Sequence, residues 1–458
     1  MALINSLFRP ASVAAALLLS AAPLMAEPFA NLDTSFDGAI RASGENRNPI
    51  VAGGTAIITG REFEPGQSVT LRQNGTELGE GPVEVNDEGA FEARVEIPEG
   101  VDAGTYPVVA EVADPAYATT FEIKVSPVLE EIGNYATQSQ KLASGLYQVA
   151  SGPDAIYVTA AVGRPPVKNS KLLKLDPESF EVVAEATPEA APAREDGSDG
   201  GVFAVYGVGY VPGAHQVWVT NTRQNTVAAY DANDLSLLKQ FEPGLVGHPR
   251  DAVAHDGKVY VSATFLPEVH VFDAESLSHE GIIEISSSRR RGEFGTASLD
   301  IDPETGRLFV ASLSSDEVAV IDLASQEVVS VYPLQGTKST IGVGYDAKTD
   351  RIFAVGQNSD NLMILDAKNG EVLHQVMVGA NPLNVTFEPT AGVAYVALRG
   401  SGTVVAVTPE GEVVGNLPVG SLPNHLTLDG KGGVLVVNKA KGAEDATGDH
   451  ITRITPES

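Results

Sequence analysis

The chain is predicted to be all-β, a seven-bladed β-propeller preceded by a small antiparallel β-sandwich. Two observations predict the propeller. A strand-sized run of β-branched and apolar residues recurs as IYVTA at Ile156, VWVTN at Val217, VYVSA at Val259, LFVAS at Leu308, IFAVG at Ile352, AYVAL at Ala394 and VLVVN at Val434. Successive copies lie 61, 42, 49, 44, 42 and 40 residues apart, and a period of about 40–45 residues holding four strands is the size of a propeller blade. Each of the first six runs is followed by a second (LLKLD, TVAAYD, EVHVFD, EVAVID, NLMILD, TVVAV) and by a third of the type EVVAE or EVLHQVMV. The sandwich is predicted by a different pattern from about Asn46 to Ser126, where alternating strands are separated by PG, NG, DEG and PEG turns.

Taken in order, residues 1–26 read as a secretory signal peptide. MALINSLFRP carries one charge, Arg9, and ASVAAALLLSAAPLMA is apolar and ends in a small residue, so cleavage is expected after Ala26. The apolar run is shorter than the roughly 20 residues of a membrane span, and no other stretch reaches that length. The mature chain is therefore expected to be exported and soluble, most simply periplasmic, with no integral membrane segment. Residues 27–45 lack firm periodicity and read as a linker or arm. Residues 46–126 form the sandwich, a spacer or protein-contact module with no residue pattern that suggests chemistry. The propeller takes 127–458, with GLYQVA from Gly145 as its first strand. The seventh copy runs out after HITRITPES, so the segment before Gly145 is expected to supply its fourth strand and remove the open sheet edge. TPEAAPAREDGSDGG, residues 187–201, reads as a mobile surface loop. Asp176, Asp231, Asp273, Asp322 and Asp366 end the third strands, where Asp accepts backbone N–H bonds of the following turn and needs no catalytic role.

VWVTN with TVAAYDANDLSLL, and LPNHLTLDGKGGVLVVN with its G-x-x-P link into the next unit, resemble the YVTN-repeat, YncE-like family of bacterial propellers. The similarity runs from about Glu130 to the C-terminus. It implies the propeller fold, and it implies single-stranded DNA as a ligand, an activity attributed to that family. The phrases F-x-P-G-x-x-V-x-L and D-x-x-G-x-F between residues 46 and 126 resemble bacterial immunoglobulin-like domains.

The composition bears on function directly. With no Cys there is no disulfide, thiolate metal site or lipidated Cys anchor. The formal charge is −30, and loss of Arg9 with the leader takes it to −31. Such a charge argues against nucleic acid as a partner, since phosphate contacts dominate that affinity, and aromatics for base stacking are only 6%. The loops between second and third strands share one face with the links from each fourth strand to the next blade. That face would carry Arg164, Lys168, Lys171, Arg223, Arg250, Arg289, Arg290, Arg291, Lys338, Arg399, Lys439 and Lys441, set against about twelve acids, on an otherwise anionic body. Loops on a rigid scaffold are where binding residues concentrate.

Three candidate sites follow. SSSRRRGEF brings Arg289, Arg290 and Arg291 together, which suits a phosphate or carboxylate. The links GHPRD, ANPLN and SLPNH place Arg250, Asp251, Asn384, Asn424 and His425 near the axial mouth, with Tyr147, Tyr206 and Lys338 at comparable positions. These groups either converge on a ligand or hydrogen-bond between neighbouring blades. The eight His form no H-x-H or H-E-x-x-H motif, so a zinc site would have to be assembled from separate blades. No nucleophile motif or phosphate-binding loop is present; GTASL, KST and GVGYVPG match none. The leading expectation is a non-enzymatic propeller that binds a small anionic ligand or a protein partner at the loop face or axial mouth. The alternatives are a periplasmic metal or metal-chelate carrier and a metal-assisted propeller lyase or hydrolase resembling the virginiamycin B lyases. No cofactor is identified by the sequence.

Overall fold

The computed structural model of the protein describes residues 37–113 and 116–457. The expected signal peptide and residues 27–36 of the expected linker lie outside the described residues. The remainder of that linker is built into a sheet. Ala39–Gly44 is a strand paired antiparallel with Thr55–Arg61, from Ala39 opposite Arg61 to Gly44 opposite Ala56. Its only apolar contributions to the neighbouring core are Ile40 and Ala42, too few for a clear period in the sequence.

Up to residue 125 two sheets share one core. The first holds Ala39–Gly44, Thr55–Arg61 and Phe91–Glu96; the second holds Ser68–Gln73, Gly104–Ala113 and Tyr117–Val125 with the short strands Thr76–Glu77 and Val83–Glu84. Alternate residues point inward, as the two-residue repeat of a strand requires. Ala56, Ile58, Phe91, Ala93 and Val95 from one sheet meet Val69, Leu71, Val108, Ala110 and Val112 from the other.

Seven four-stranded antiparallel sheets follow among the described residues, at 146–186, 208–240, 249–284, 296–333, 340–377, 382–418 and 423–456. In the first six, chain order runs from the innermost strand to the outermost. The seventh takes its outermost strand, Tyr135–Lys141, from before the first sheet, paired with His450–Pro456 from Lys141 opposite His450 to Tyr135 opposite Pro456. The innermost strands are Leu146–Ser151, Val208–Val211, Pro249–His255, Thr296–Asp302, Thr340–Asp346, Pro382–Glu388 and Pro423–Leu428. Each packs beside the next, and the first packs against the seventh, so the sheets close into a ring.

The strand types explain this order. Second strands such as Gln216–Asn221 are buried along their whole length, because a neighbouring sheet covers each face. Trp218 sits between the second and third sheets, 5.4 Å from Phe241 and 5.3 Å from Phe272 by ring centroid, with its indole N–H donating to Gln216 at 2.9 Å. Outer strands instead expose Val183, Ile282 and Val329. The acids ending the third strands cap turns: Asp176 accepts from the Ser179 N–H at 2.8 Å, Asp231 from Asn233 at 2.7 Å, Asp273 from Ser276 at 2.7 Å, Asp322 from Ser325 at 2.8 Å and Asp366 from Lys368 at 2.7 Å. Those backbone bonds hold the carboxyls of Asp176, Asp273 and Asp322 below the usual range.

The two-sheet unit is docked on the loop face of the ring. Lys124 Nζ lies 2.6 Å from Asp360 Oδ1 and donates to Asn381 Oδ1 at 2.6 Å, while Ser126 Oγ donates to Asp360 Oδ2 at 2.6 Å. Asp360, in the loop between second and third strands of the fifth sheet, is 1% exposed.

Candidate ligand site at the mouth of the ring

Most innermost strands begin with a slip in register, between Leu146 and Val149, Pro249 and Ala252, Thr296 and Leu299, Pro382 and Asn384, and Pro423 and His425. A bulge of this kind re-aims the side chain it carries. Gln148, Asp251, Asn384 and His425 join Val208, Leu299 and Val343 around a cavity of about 530 Å³. All seven innermost strands line it, so it lies on the ring axis. Gly207 occupies the corresponding place before the second sheet's innermost strand, where a Cβ would sit 1.8 Å from the Arg250 carbonyl oxygen. Only glycine fits there.

The polar atoms of this inner circle are largely spent on joining sheets. Gln148 Nε2 donates to Asp251 Oδ1 at 2.7 Å, and its Oε1 accepts from the Val208 N–H at 3.0 Å. Asp251 Oδ2 accepts from Leu299 N–H at 3.2 Å, tying the first, third and fourth sheets together. Asn384 Oδ1 accepts from Leu426 N–H at 2.7 Å, and His425 Nδ1 accepts from Val149 N–H at 3.4 Å. Burial pushes the His425 imidazole down to about 4, with Asp251 pulling upward and Arg250 downward. His425 is neutral at pH 7, and its protonated nitrogen is Nε2.

A second circle, one residue earlier on these strands and at the ends of the second strands, is different in character. The Tyr147 and Tyr206 rings meet edge to face at 4.8 Å. Lys439 Nζ lies 5.3 Å from the Tyr147 ring centre, and the Arg223 guanidinium 5.9 Å from that of Tyr206. Arg399 donates to Asn424 Oδ1, and Asn424 Nδ2 donates to the Tyr147 carbonyl at 2.6 Å. Arg250 Nε reaches Ser298 Oγ at 3.3 Å and lies 3.6 Å from Asp251. Arg223, Arg399 and Lys439 make no ion pair with a carboxylate among the described residues. Burial, then Arg399 and Arg223, hold the Lys439 ammonium below its usual range against the pull of Asp449. Burial lowers Arg399, with Tyr147 opposing and Arg250 adding to the shift. Burial, Arg223 and Arg250 do the same to His248. Unbalanced positive charge is therefore concentrated on one side of the mouth.

The sequence candidates divide accordingly. Tyr147, Tyr206, Arg250 and Asn424 belong to this outer circle; Asp251, Asn384 and His425 belong to the inner circle of inter-sheet bonds. Lys338 is committed to an ion pair with Glu122 of the two-sheet unit at 2.5 Å. Arg289 donates to the carbonyls of Asp316 and Leu334 at 3.2 and 2.7 Å, while Arg290 and Arg291 are exposed and form no ion pair among the described residues. Arg223, Arg399 and Lys439 are among the basic residues expected on the loop face but not among those expected at the mouth, although each closely follows a second strand, in VWVTNTR, AYVALR and VLVVNK. That shared position is the signal that marks them. Among the described residues, no group of three or more His, Asp or Glu side chains could hold a metal ion.

No protein-family model matches this chain, and no curated protein matches it. Its fold is nevertheless shared with solved structures. The hydrazine synthase of Kuenenia stuttgartiensis is 16% identical, with a TM-score of 0.53 over 65% of this chain and 94% of that one. A streptogramin B lyase is 13% identical, with a TM-score of 0.54 over 71% and 98%. The WD40 repeats of RRP9 are 11% identical, with a TM-score of 0.56 over 71% and 100%. At such identities the likeness concerns the fold alone: the ring is a β-propeller scaffold. No helix among the described residues is long and apolar enough to cross a membrane.

Proposed function

We propose that the protein is an exported, non-enzymatic binding protein of the YncE-like type, built as a seven-bladed β-propeller with an immunoglobulin-like module spanning about residues 46–126. Its ligand is a small, multiply charged anion held at the loop-side mouth. One observation carries this reading: Arg223, Arg399 and Lys439 gather around Tyr147 and Tyr206 without carboxylate partners. Holding cations together unpaired costs stability, and an anion recovers that cost on binding. A protein partner would meet the same chemistry through an acidic segment. The overall charge of −30 weighs against single-stranded DNA. An acid–base enzyme centred on His425 is weakly supported, because Nδ1 already accepts the Val149 N–H and Nε2 carries its proton.

Calorimetric titration with citrate and with inorganic phosphate tests the reading. Binding is expected, to be weakened about tenfold or more in the Arg223→Ala/Lys439→Ala double variant, the scale of a lost charge-assisted contact. It should also weaken with rising pH below the ordinary lysine value of 10.5, as Lys439 loses its proton. Equal affinity in the parent and the double variant would refute the site.

A further inference from the structure

A second cavity lies away from the ring axis. Between the two-sheet unit, the connecting segment after Val125 and the loop ends of the sixth and seventh sheets is a groove of about 570 Å³. Through Asn48, Pro49 and Lys441 it continues into a cleft of about 280 Å³ that also holds Arg47. The combined space lies in the range of small-molecule sites, which favour the junctions between domains.

Two buried polar atoms along the groove have no partner. Asn416 is fixed on every other side: its N–H donates to the Ile132 carbonyl at 3.0 Å, its carbonyl accepts from Ile132 at 3.3 Å, and its Nδ2 donates to the carbonyls of Leu129 and Glu130 at 3.1 Å each. These bonds set the direction of the amide and leave Oδ1 buried without a donor. Thr403 Oγ1 is also buried and unpaired. Such atoms are costly unless something hydrogen-bonds to them. At the other end stand cations. Lys441 Nζ donates only to Asn48 Oδ1, at 3.2 Å, and Arg47 has no ion pair among the described residues. The acid lining the cleft, Glu122, is already paired with Lys338.

We infer that this groove binds a small organic carboxylate that also carries hydroxyl or amide N–H donors. The carboxylate sits at Lys441 and Arg47, and the donors reach Asn416 Oδ1 and Thr403. A simple inorganic anion would satisfy the cations and leave Asn416 Oδ1 unmet. The inference goes beyond the mouth: Arg399 borders both places, but Arg223 and Lys439 do not line the groove or the cleft, so variants at those two residues tell the sites apart.

The test is titration of the protein with D-glucuronate, a hydroxylated carboxylate; with N-acetylglycine, an amide-bearing one; and with acetate, which has neither kind of donor. At least one of the first two should bind about tenfold more tightly than acetate, and which one does so separates a sugar acid from a peptide acid as the natural ligand. Thr403→Val should weaken that binding about fivefold and Lys441→Ala about tenfold, the scale of a neutral and a charged hydrogen bond. Thr403→Ser and Lys441→Arg should restore it, which loss of structure at either position would not allow. Failure of both probes to exceed acetate overturns the inference. So does binding that is insensitive to Thr403→Val and Lys441→Ala but lost in Arg223→Ala/Lys439→Ala, a result that would place the probe at the mouth. Citrate or phosphate binding at the mouth is unaffected by either outcome.

Discussion

Replacement of Asp251 by alanine should loosen the ring more than any other single change in the inner circle. The carboxylate accepts from Gln148 Nε2 at 2.7 Å and Leu299 N–H at 3.2 Å, and lies 3.6 Å from the Arg250 guanidinium. Asp251 is 6% exposed. Its loss leaves a side-chain amide and a backbone N–H without their acceptor, and the largely buried Arg250 guanidinium without its neighbouring carboxylate, beside the axial cavity. Breaking one side of such a network costs about 3–5 kcal/mol. For a unit of this size, at about 2 °C per kcal/mol, the melting temperature should fall by about 6–10 °C. Differential scanning calorimetry at pH 7 measures it, with Asp251→Asn as the companion variant. The asparagine keeps one acceptor and should lose less. A melting temperature for Asp251→Ala within about 1 °C of the parent would refute the assignment of Asp251 as a tie between sheets.

Two further outcomes follow from the geometry. His425 is held at a pKa of about 4, against the ordinary 6.5. Between those values the unfolded chain takes up a proton that the folded chain refuses. Stability from this group is complete above 6.5 and lost as pH falls towards 4, by at most about 3 kcal/mol; denaturant midpoints at pH 7 and pH 4.5 should converge in His425→Gln, and an unchanged difference would contradict the burial of that imidazole. Asp360→Ala removes the acceptor shared by Lys124 and Ser126, so the two-sheet unit should unfold separately, giving two calorimetric transitions in place of one; a single unshifted transition would show that the dock is held elsewhere.

The repeat was legible because second and third strands are covered on both faces, so that Val217–Val219 and Leu362–Leu365 are apolar without interruption. Turn acids such as Asp273 were legible because their partners lie within three residues. The mouth was only half legible. Tyr147, Arg250 and Asn424 sit on the innermost strands, where the repeat predicts convergence, whereas Lys439 and Arg399 reach the same place from loops in sheets whose separation along the chain says nothing about proximity. The role of Asp251 was equally hidden, since Gln148 lies 103 residues away from it. The strand at Ala39–Gly44 escaped notice because an edge position asks for few apolar residues, and AIRASG supplies only two that pack on the core.

The pairing of Tyr135–Lys141 with His450–Pro456 gives the molecule an order of assembly. Arg453 and Gln138, in contact within one sheet, are 315 residues apart in sequence. A chain emerging from its N-terminus makes the outer strand of the seventh sheet long before the sheet that needs it, and must hold that strand open until every other sheet exists. Loop closure over such a span adds little to the equilibrium cost, because the entropy grows only with the logarithm of length. It adds more to the time required, since contacts between distant segments form late. An unsealed ring is therefore a form the chain passes through late in folding. It presents two unpaired strand edges, which other unfinished chains can pair with, so any condition that delays the 450–456 strand favours aggregation over a slow return to the native ring.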